Sequence, residues 1–172
     1  MWAYLNLTLK ARRLTVANQI SQRRSMAFEA EIQRIQQIKA DLLRTQGQRV
    51  LAVAFDLSAL IKLRIQTRGE NSQKQSLPYY TPFTVKSRKA KGYQVGYVDY
   101  TQTGQLWASV GPRLISEGGG KVSAVIESRN ERGKGILDKA VPKRGNLLLA
   151  SDEELKIAQD AYTESITRIL NI

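Results

Sequence analysis

Few residue types in this chain could carry catalytic chemistry, because it contains no cysteine and no histidine. That absence removes thiol nucleophiles, disulfides, zinc sites built on Cys or His, and Ser-His or Cys-His catalytic pairs. Carboxylates alone could still bind magnesium or act as acid and base, but no D-x-D or E-x-x-E pair stands beside a plausible pocket segment. The sequence therefore predicts a protein that is not an enzyme and that needs no metal or other cofactor.

Cationic side chains are in clear excess: 27 Lys and Arg stand against 15 Asp and Glu, a net charge of +12. The excess lies in residues 1–25, which hold no acid, and in residues 62–91, which hold only Glu70. A basic surface attracts polyanions, so nucleic acid or an acidic protein face is one expected neighbour, and an ordinary solvated surface is the alternative. The candidate contacts to DNA or to a partner are Arg12, Arg13, Arg23, Arg24, Lys86, Arg88, Lys89, Lys91, Lys143 and Arg144.

Aromatic and cationic residues interleave between residues 79 and 100. Such a pattern suits a platform on which single-stranded bases stack, but no RNP-type or KH-type signature accompanies it. The alternative, which the sequence favours, is that the rings pack against the sheet and leave their hydroxyls at its rim. The aromatic residues concerned are Tyr79, Tyr80, Phe83, Tyr93, Tyr97 and Tyr100.

The three glycines at 118–120 and Lys121 suggest a phosphate-binding loop, but their context does not. The first glycine of the Walker spacing and the required Ser or Thr are missing, and a strand follows where a helix is needed. The segment is therefore predicted to be a hairpin turn between strands at residues 110–116 and 121–127.

A turn followed by a short helix is predicted just before this hairpin. Thr103 can cap the helix, with Gly104 in its first turn. Leu106 and Val110 then share one helix face, and with Trp107 they are expected to anchor the turn in the core.

The N-terminal half of the chain is predicted to be an arm followed by helices. Residues 1–25 fit neither a clean helix nor a clean strand and read as an extended basic arm that orders on a partner. From Met26 apolar residues recur at helical spacing, and after an interruption at Gly47 the period continues to Gly69 as one bent helix or a hairpin. The second piece has the broader apolar face and should cross the core.

Local signals define the remaining elements. Thr81 and Pro82 begin a short basic helix whose charge is expected to point outward. Residues 130–135 and 142–145 read as turns. Ser151 and Glu154 form a capping box that opens an amphipathic closing helix. The sequence therefore predicts an α+β fold: an arm at 1–25 and a single domain at 26–172, with a small antiparallel sheet packed with helices.

Three segments carry a resemblance to a known family. They read RIQTRGENSQKQSLPYYTPFTVKSRKAKG, YVDYTQTGQLWASV and PKRGNLLLASDEELKIAQDAYTESITRIL. Their order resembles that of the phage virion-morphogenesis or tail-completion proteins, the minor tail and neck components that join head to tail. The resemblance covers roughly residues 50–172 and rests on a T-G-x-L turn, a K-x-K-rich stretch and a P-x-R turn before S-[DE]-[DE].

The resemblance implies a non-enzymatic α+β structural subunit of the virion. Such a subunit would be assembled in the host cytoplasm and would lie at the head-tail interface as part of a homo-oligomeric ring. Its neighbours would be neck, portal or tail subunits, with packaged DNA as a further contact and no membrane, since no stretch reaches the roughly 20 apolar residues of a membrane helix. The alternative function is a basic nucleic-acid-binding module.

Overall fold

The computed structural model is mostly helical and contains a small antiparallel sheet, so the predicted α+β class is confirmed. It forms two units, Met1–Arg44 and Thr45–Ile172. The predicted division into residues 1–25 and 26–172 stays a prediction. The structure describes the backbone of residues 2–101, 104–117 and 121–170, and the side chains of these except at 2–18, 20, 21, 116, 117 and 142–144.

Helix α1 spans Trp2–Leu63 and continues as a π-helical turn over Arg64–Arg68. The backbone of residues 2–25 is therefore helical, and the expectation of an extended arm was wrong. The reason is that this stretch has no Pro or Gly and is rich in Leu, Ala, Arg and Gln, which are good helix formers. Gly47 lies inside α1, so it does not end the helix. Gly69 does end it, in the predicted left-handed conformation with φ 65°.

Helix α2 spans Pro82–Ala90 and begins as predicted. The Thr81 side chain accepts a hydrogen bond from the Thr84 N–H at 3.4 Å, and Pro82 occupies the first turn, where its missing N–H costs nothing. Lys91 follows at the C-terminal end.

Helix α3 and a β-hairpin follow. The helix, Gln105–Ser109, is preceded by Gly104 at φ 67°, whereas the predicted cap Thr103 lies outside the described residues. The strands are β1, Val110–Glu117, and β2, Lys121–Ser128, and they pair antiparallel from Val110 opposite Ser128 to Glu117 opposite Lys121. The predicted hairpin is thus confirmed.

Helix α4 spans Glu131–Arg144, where two turns had been predicted. That expectation was wrong, because Asn130 accepts a hydrogen bond from the Gly133 N–H at 2.7 Å and so caps a helix across the glycines. Gly133 is needed there, since a Cβ would collide with the hydroxyls of Ser109 and Ser128. Pro142 lies in the last turn of α4, and Gly145 ends it.

Helix α5 spans Asp152–Leu170, and its capping box is confirmed. The Ser151 N–H donates to Glu154 Oε2 at 2.8 Å, and the Glu154 N–H donates to Ser151 Oγ at 3.4 Å.

The hydrophobic core lies in the second unit. It joins the end of α1, the π-helical turn, α3, the start of β1, α4 and the segment before α5. Leu106, Trp107 and Val110 are buried within it, so the residues of the predicted turn are core residues. The core cluster comprises Ile61, Ile65, Leu77, Leu106, Trp107, Val110, Ala140 and Leu147.

Candidate functional site

A buried ion pair lies beneath α2. Arg88 from α2 is 0% exposed, and Asp99 from the loop before α3 is 2% exposed. Arg88 Nη2 donates to both Asp99 oxygens, at 3.0 and 3.1 Å. The same nitrogen donates to Thr101 Oγ1 at 3.1 Å, and Nε donates to the Gln94 carbonyl at 2.8 Å. This arrangement corrects the expectation that Arg88 points outward to DNA or a partner.

Asp99 accepts further hydrogen bonds. Tyr80 Oη donates to Oδ1 at 2.8 Å, the Thr101 N–H donates to Oδ1 at 2.9 Å, and Gln94 Nε2 donates to Oδ2 at 2.5 Å. Burial disfavours the charged carboxylate, but the hydrogen bonds from Thr101, Gln94 and Tyr80 outweigh it and lower the pKa of Asp99. The carboxylate is therefore ionised at neutral pH and its oxygens are already engaged by donors.

Two tyrosine rings contact the same guanidinium. Arg88 Cζ lies 4.4 Å from the centroid of the Tyr80 ring and 5.3 Å from that of Tyr93. Both distances are within the range of a cation–π interaction. Burial, together with the hydrogen bond to Asp99, raises the pKa of the Tyr80 hydroxyl to about 12. The cluster thus keeps Asp99 charged and Tyr80 neutral at pH 7.

This cluster is built to hold chain segments together. Trp107 Nε1 donates to the Asp99 carbonyl at 2.8 Å, so the residue that binds Arg88 also binds the core anchor of α3. Arg88 Nη1 is buried without a hydrogen-bond partner, but Nε and Nη2 are both bonded. A buried ion pair held by several hydrogen bonds favours one arrangement of the segments that carry it. Here it fixes α2 relative to α3.

A second buried pair, Arg64 with Glu154, lies at the start of α5. Arg64 Nε donates to Glu154 Oε1 at 2.8 Å, and the two side chains are 4% and 8% exposed. Arg64 Nη2 also donates to the Leu149 carbonyl at 2.9 Å. Sequence reasoning missed this pair, although Arg64 stands beside Ile65 on the apolar face of a helical pattern, and that position is a signal of burial.

The predicted basic contacts have different outcomes. Lys86, Lys89 and Lys91 are exposed and come together on and after α2. Arg23 and Arg24 are exposed on α1, in the first unit. The side chains of Arg12, Arg13, Lys143 and Arg144 lie outside the described residues.

The aromatic residues between 79 and 100 fall into two groups. Tyr80 and Tyr97 are half-buried and bonded, Tyr97 through a hydrogen bond from its hydroxyl to the Gln66 carbonyl at 2.6 Å. Tyr79 and Phe83, in contrast, are 82% and 86% exposed. The expectation was that the rings pack against the sheet and leave their hydroxyls at its rim. It was wrong for Tyr79 and Phe83, which are exposed, and for the hydroxyls of Tyr80 and Tyr97, which donate inward to Asp99 and Gln66.

A groove of about 500 Å³ lies elsewhere in the second unit, between α1, β2 and α4. Its walls are mixed, with Leu57 and Leu137 beside Lys134 and Asp138. Among the described residues, no three His, Cys, Asp or Glu side chains are grouped so that they could hold a metal ion. Within the same residues, no helix has both the length and the apolar character needed to cross a membrane.

Comparison with known proteins gives no relative: no family model, no curated protein and no solved structure matches this chain.

Proposed function

We propose that this chain is a non-enzymatic structural subunit of a phage virion that lies at the neck or tail top. In this role it completes the tail and joins head to tail as one copy in a ring. The observation that best supports the proposal is an exposed apolar stripe on α1 in the first unit. The stripe is Phe28, Ile32, Ile35 and Leu43, which are 68%, 40%, 58% and 59% exposed.

The spacing of the stripe supports a protein partner. Phe28, Ile32 and Ile35 follow one another at intervals of four and three, so they share one helix face. The described part of the first unit is α1 alone, and a single helix cannot cover its own apolar face. Grouped exposed apolar side chains of this kind are typical of subunit contacts.

A ring supplies a cover for such a stripe. In a closed ring the stripe of each copy contacts a second surface on the next copy. Every stripe is therefore covered once the ring is complete. The resemblance of residues 50–172 to tail-completion proteins supports the virion location. Arg23 and Arg24 on the same helix suit an acidic neighbour or packaged DNA.

The first test is negative-stain electron microscopy of particles made when the reading frame is interrupted. Filled heads lying apart from finished tails are the expected result. Intact infectious virions would contradict the proposal.

A sharper test replaces the stripe alone. Phe28→Gln, Ile32→Gln and Ile35→Gln together should give a chain that stays monomeric in light scattering and particles that do not join. The matched control is Leu149→Gln, Leu155→Gln and Ile157→Gln, which alters three residues of similar exposure in the second unit. Normal joining with the stripe variant would show that the stripe is not the contact.

A further inference from the structure

We propose that the outer face of α2 binds single-stranded nucleic acid, an activity that does not depend on the virion role. The α2 face consists of Tyr79, Phe83, Lys86, Lys89 and Lys91. All five are exposed.

The exposure of the two rings is the first argument. Among the large hydrophobic side chains of the described residues, Tyr79 at 82% and Phe83 at 86% are the most exposed. Their neighbour Tyr80 turns inward and donates to Asp99, so the chain places one ring in the cluster and leaves two in water. Exposed aromatic rings beside cations are what sequence-tolerant single-strand binding uses, because every base has a face that can stack.

The orientation of α2 is the second argument. The buried Arg88 fixes which side of the helix faces inward, and at about 100° per residue Lys86 lies on nearly the opposite side. Phe83 and Lys86 are three residues apart and therefore share the outward face. A phosphate on Lys86 would thus place a base near the Phe83 ring.

The charge of the segment is the third argument. No Asp or Glu occurs between residues 71 and 98. The next carboxylate, Asp99, is buried and paired with Arg88. The lysines of the α2 face are therefore not neutralised by carboxylates of their own segment. A polyanion is the complementary partner for such a surface.

The α2 face is also formed before any ligand arrives. The Thr81 cap, the hydrogen bond from Arg88 to the Gln94 carbonyl and the ion pair to Asp99 hold its backbone in place. Binding then needs little ordering of the protein. Tyr79 and Phe83 are four residues apart, so their Cα atoms are within roughly 14 Å of each other. Two successive bases of one strand can therefore stack on the two rings.

The rings decide between single strands and duplexes. Lysines alone would bind both forms through phosphate, whereas stacking on Tyr79 and Phe83 requires bases that are not already stacked in a duplex. A protein partner could also cover the two rings, but it would give no affinity for an oligonucleotide.

The experiment is fluorescence anisotropy of the full chain with a labelled oligothymidylate of about 15 nucleotides and with a duplex of equal length, over about 50 to 400 mM salt. Tyr79→Ala with Phe83→Ala tests stacking. Lys86→Gln, Lys89→Gln and Lys91→Gln together test phosphate contact. The controls are Phe55→Ala, which removes another exposed ring, and a charge-matched triple. That triple is Lys121→Gln, Lys139→Gln and Lys156→Gln.

Single strands should bind more tightly than the duplex, and loss of both rings should weaken single-strand binding by at least about twentyfold. The α2 lysine triple should reduce the slope of log K against log salt by about 2. Neither control should have these effects, and all variants should keep the wild-type Tm. The proposal would be overturned by equal binding of duplex and single strand, or by wild-type affinity after loss of the rings. An equal loss of affinity in the controls would also overturn it, because that result indicates diffuse attraction to a basic chain.

Discussion

The guanidinium of Arg88 and the carboxylate of Asp99 meet at 3.0 Å with 0% and 3% of their side chains exposed. The pair lies eleven residues apart in the chain and is lined by Tyr80 and Tyr93. Since Trp107 donates to the Asp99 carbonyl, the pair also links α2 to the core. The exposed α2 face therefore depends on a buried charge.

Replacing Arg88 by Met should strongly destabilise the fold. It leaves the Asp99 carboxylate buried without its counterion, and breaking such a pair costs about 3–5 kcal/mol of unfolding free energy. Urea unfolding followed by circular dichroism measures the change. Lys89→Met is the control, because Lys89 is the exposed neighbour and its loss should change the free energy by no more than about 0.5 kcal/mol. Equal midpoints for the two variants would show that the pair contributes nothing.

Alkaline pH should weaken the fold through Tyr80. Its folded pKa is raised to about 12 from an ordinary 10.0, so the hydroxyl binds its proton more tightly in the folded state than in the unfolded state. The resulting stabilisation is fully present below about pH 10 and is lost as pH rises through 12. Tyr80→Phe should therefore reduce the fall in unfolding free energy between pH 9 and 12, measured by urea titration at several pH values. An unchanged fall in the variant would exclude Tyr80 as its source.

A clash at Gly69 should be separable from backbone strain. A Cβ there would lie 2.6 Å from Cδ1 and Cδ2 of Tyr97, whereas one at Gly92 would meet nothing within 4 Å, and both residues have positive φ. Gly92→Ala should thus lower the free energy of unfolding only by the backbone strain of about 1–2 kcal/mol. Gly69→Ala should lower it by clearly more, because the clash adds to the strain.

The Tyr97→Ala background provides the check on this clash. Without the ring, Gly69→Ala should cost no more than Gly92→Ala does, because neighbouring substitutions of this kind are not additive. An undiminished cost in that background would indicate that the ring is not the obstacle.

The sequence predicted elements whose ends are set by local chemistry. Thr81 with Pro82, Gly69, and Ser151 with Glu154 each act within a few residues, so their effect can be read from the chain alone. Residues 1–25 were misjudged because apolar periodicity was weighed above helix propensity.

The buried charges could not be predicted in the same way. Arg64 pairs with Glu154, which lies 90 residues further along the chain. An argument from composition treats every arginine as a surface charge and cannot identify such a pair. Gly133 lies in residues 130–135, which were predicted to be a turn, but in the helix it is required by the close approach of the Ser109 and Ser128 hydroxyls, which only the tertiary fold brings together.

Glu154 should be far more important to stability than its neighbour Glu153. Glu154 is buried, binds Arg64 at 2.8 Å and caps α5 through the Ser151 N–H, whereas Glu153 forms an exposed pair with Lys74 at 3.2 Å. Glu154→Ala leaves a buried guanidinium without a counterion and should cost about 3–5 kcal/mol. Glu153→Ala should cost at most about 1 kcal/mol, since surface pairs are screened by water.

Ser151→Ala separates the two roles of Glu154. It removes the hydroxyl that accepts the Glu154 N–H and should cost about 1 kcal/mol, while the ion pair to Arg64 stays intact. Chemical denaturation of both single variants and the double variant gives their coupling energy. If Glu154→Ala costs no more than Ser151→Ala, then Glu154 acts as a helix cap alone and the pair with Arg64 adds nothing; a larger cost that persists in the Ser151→Ala background assigns the difference to the buried charge.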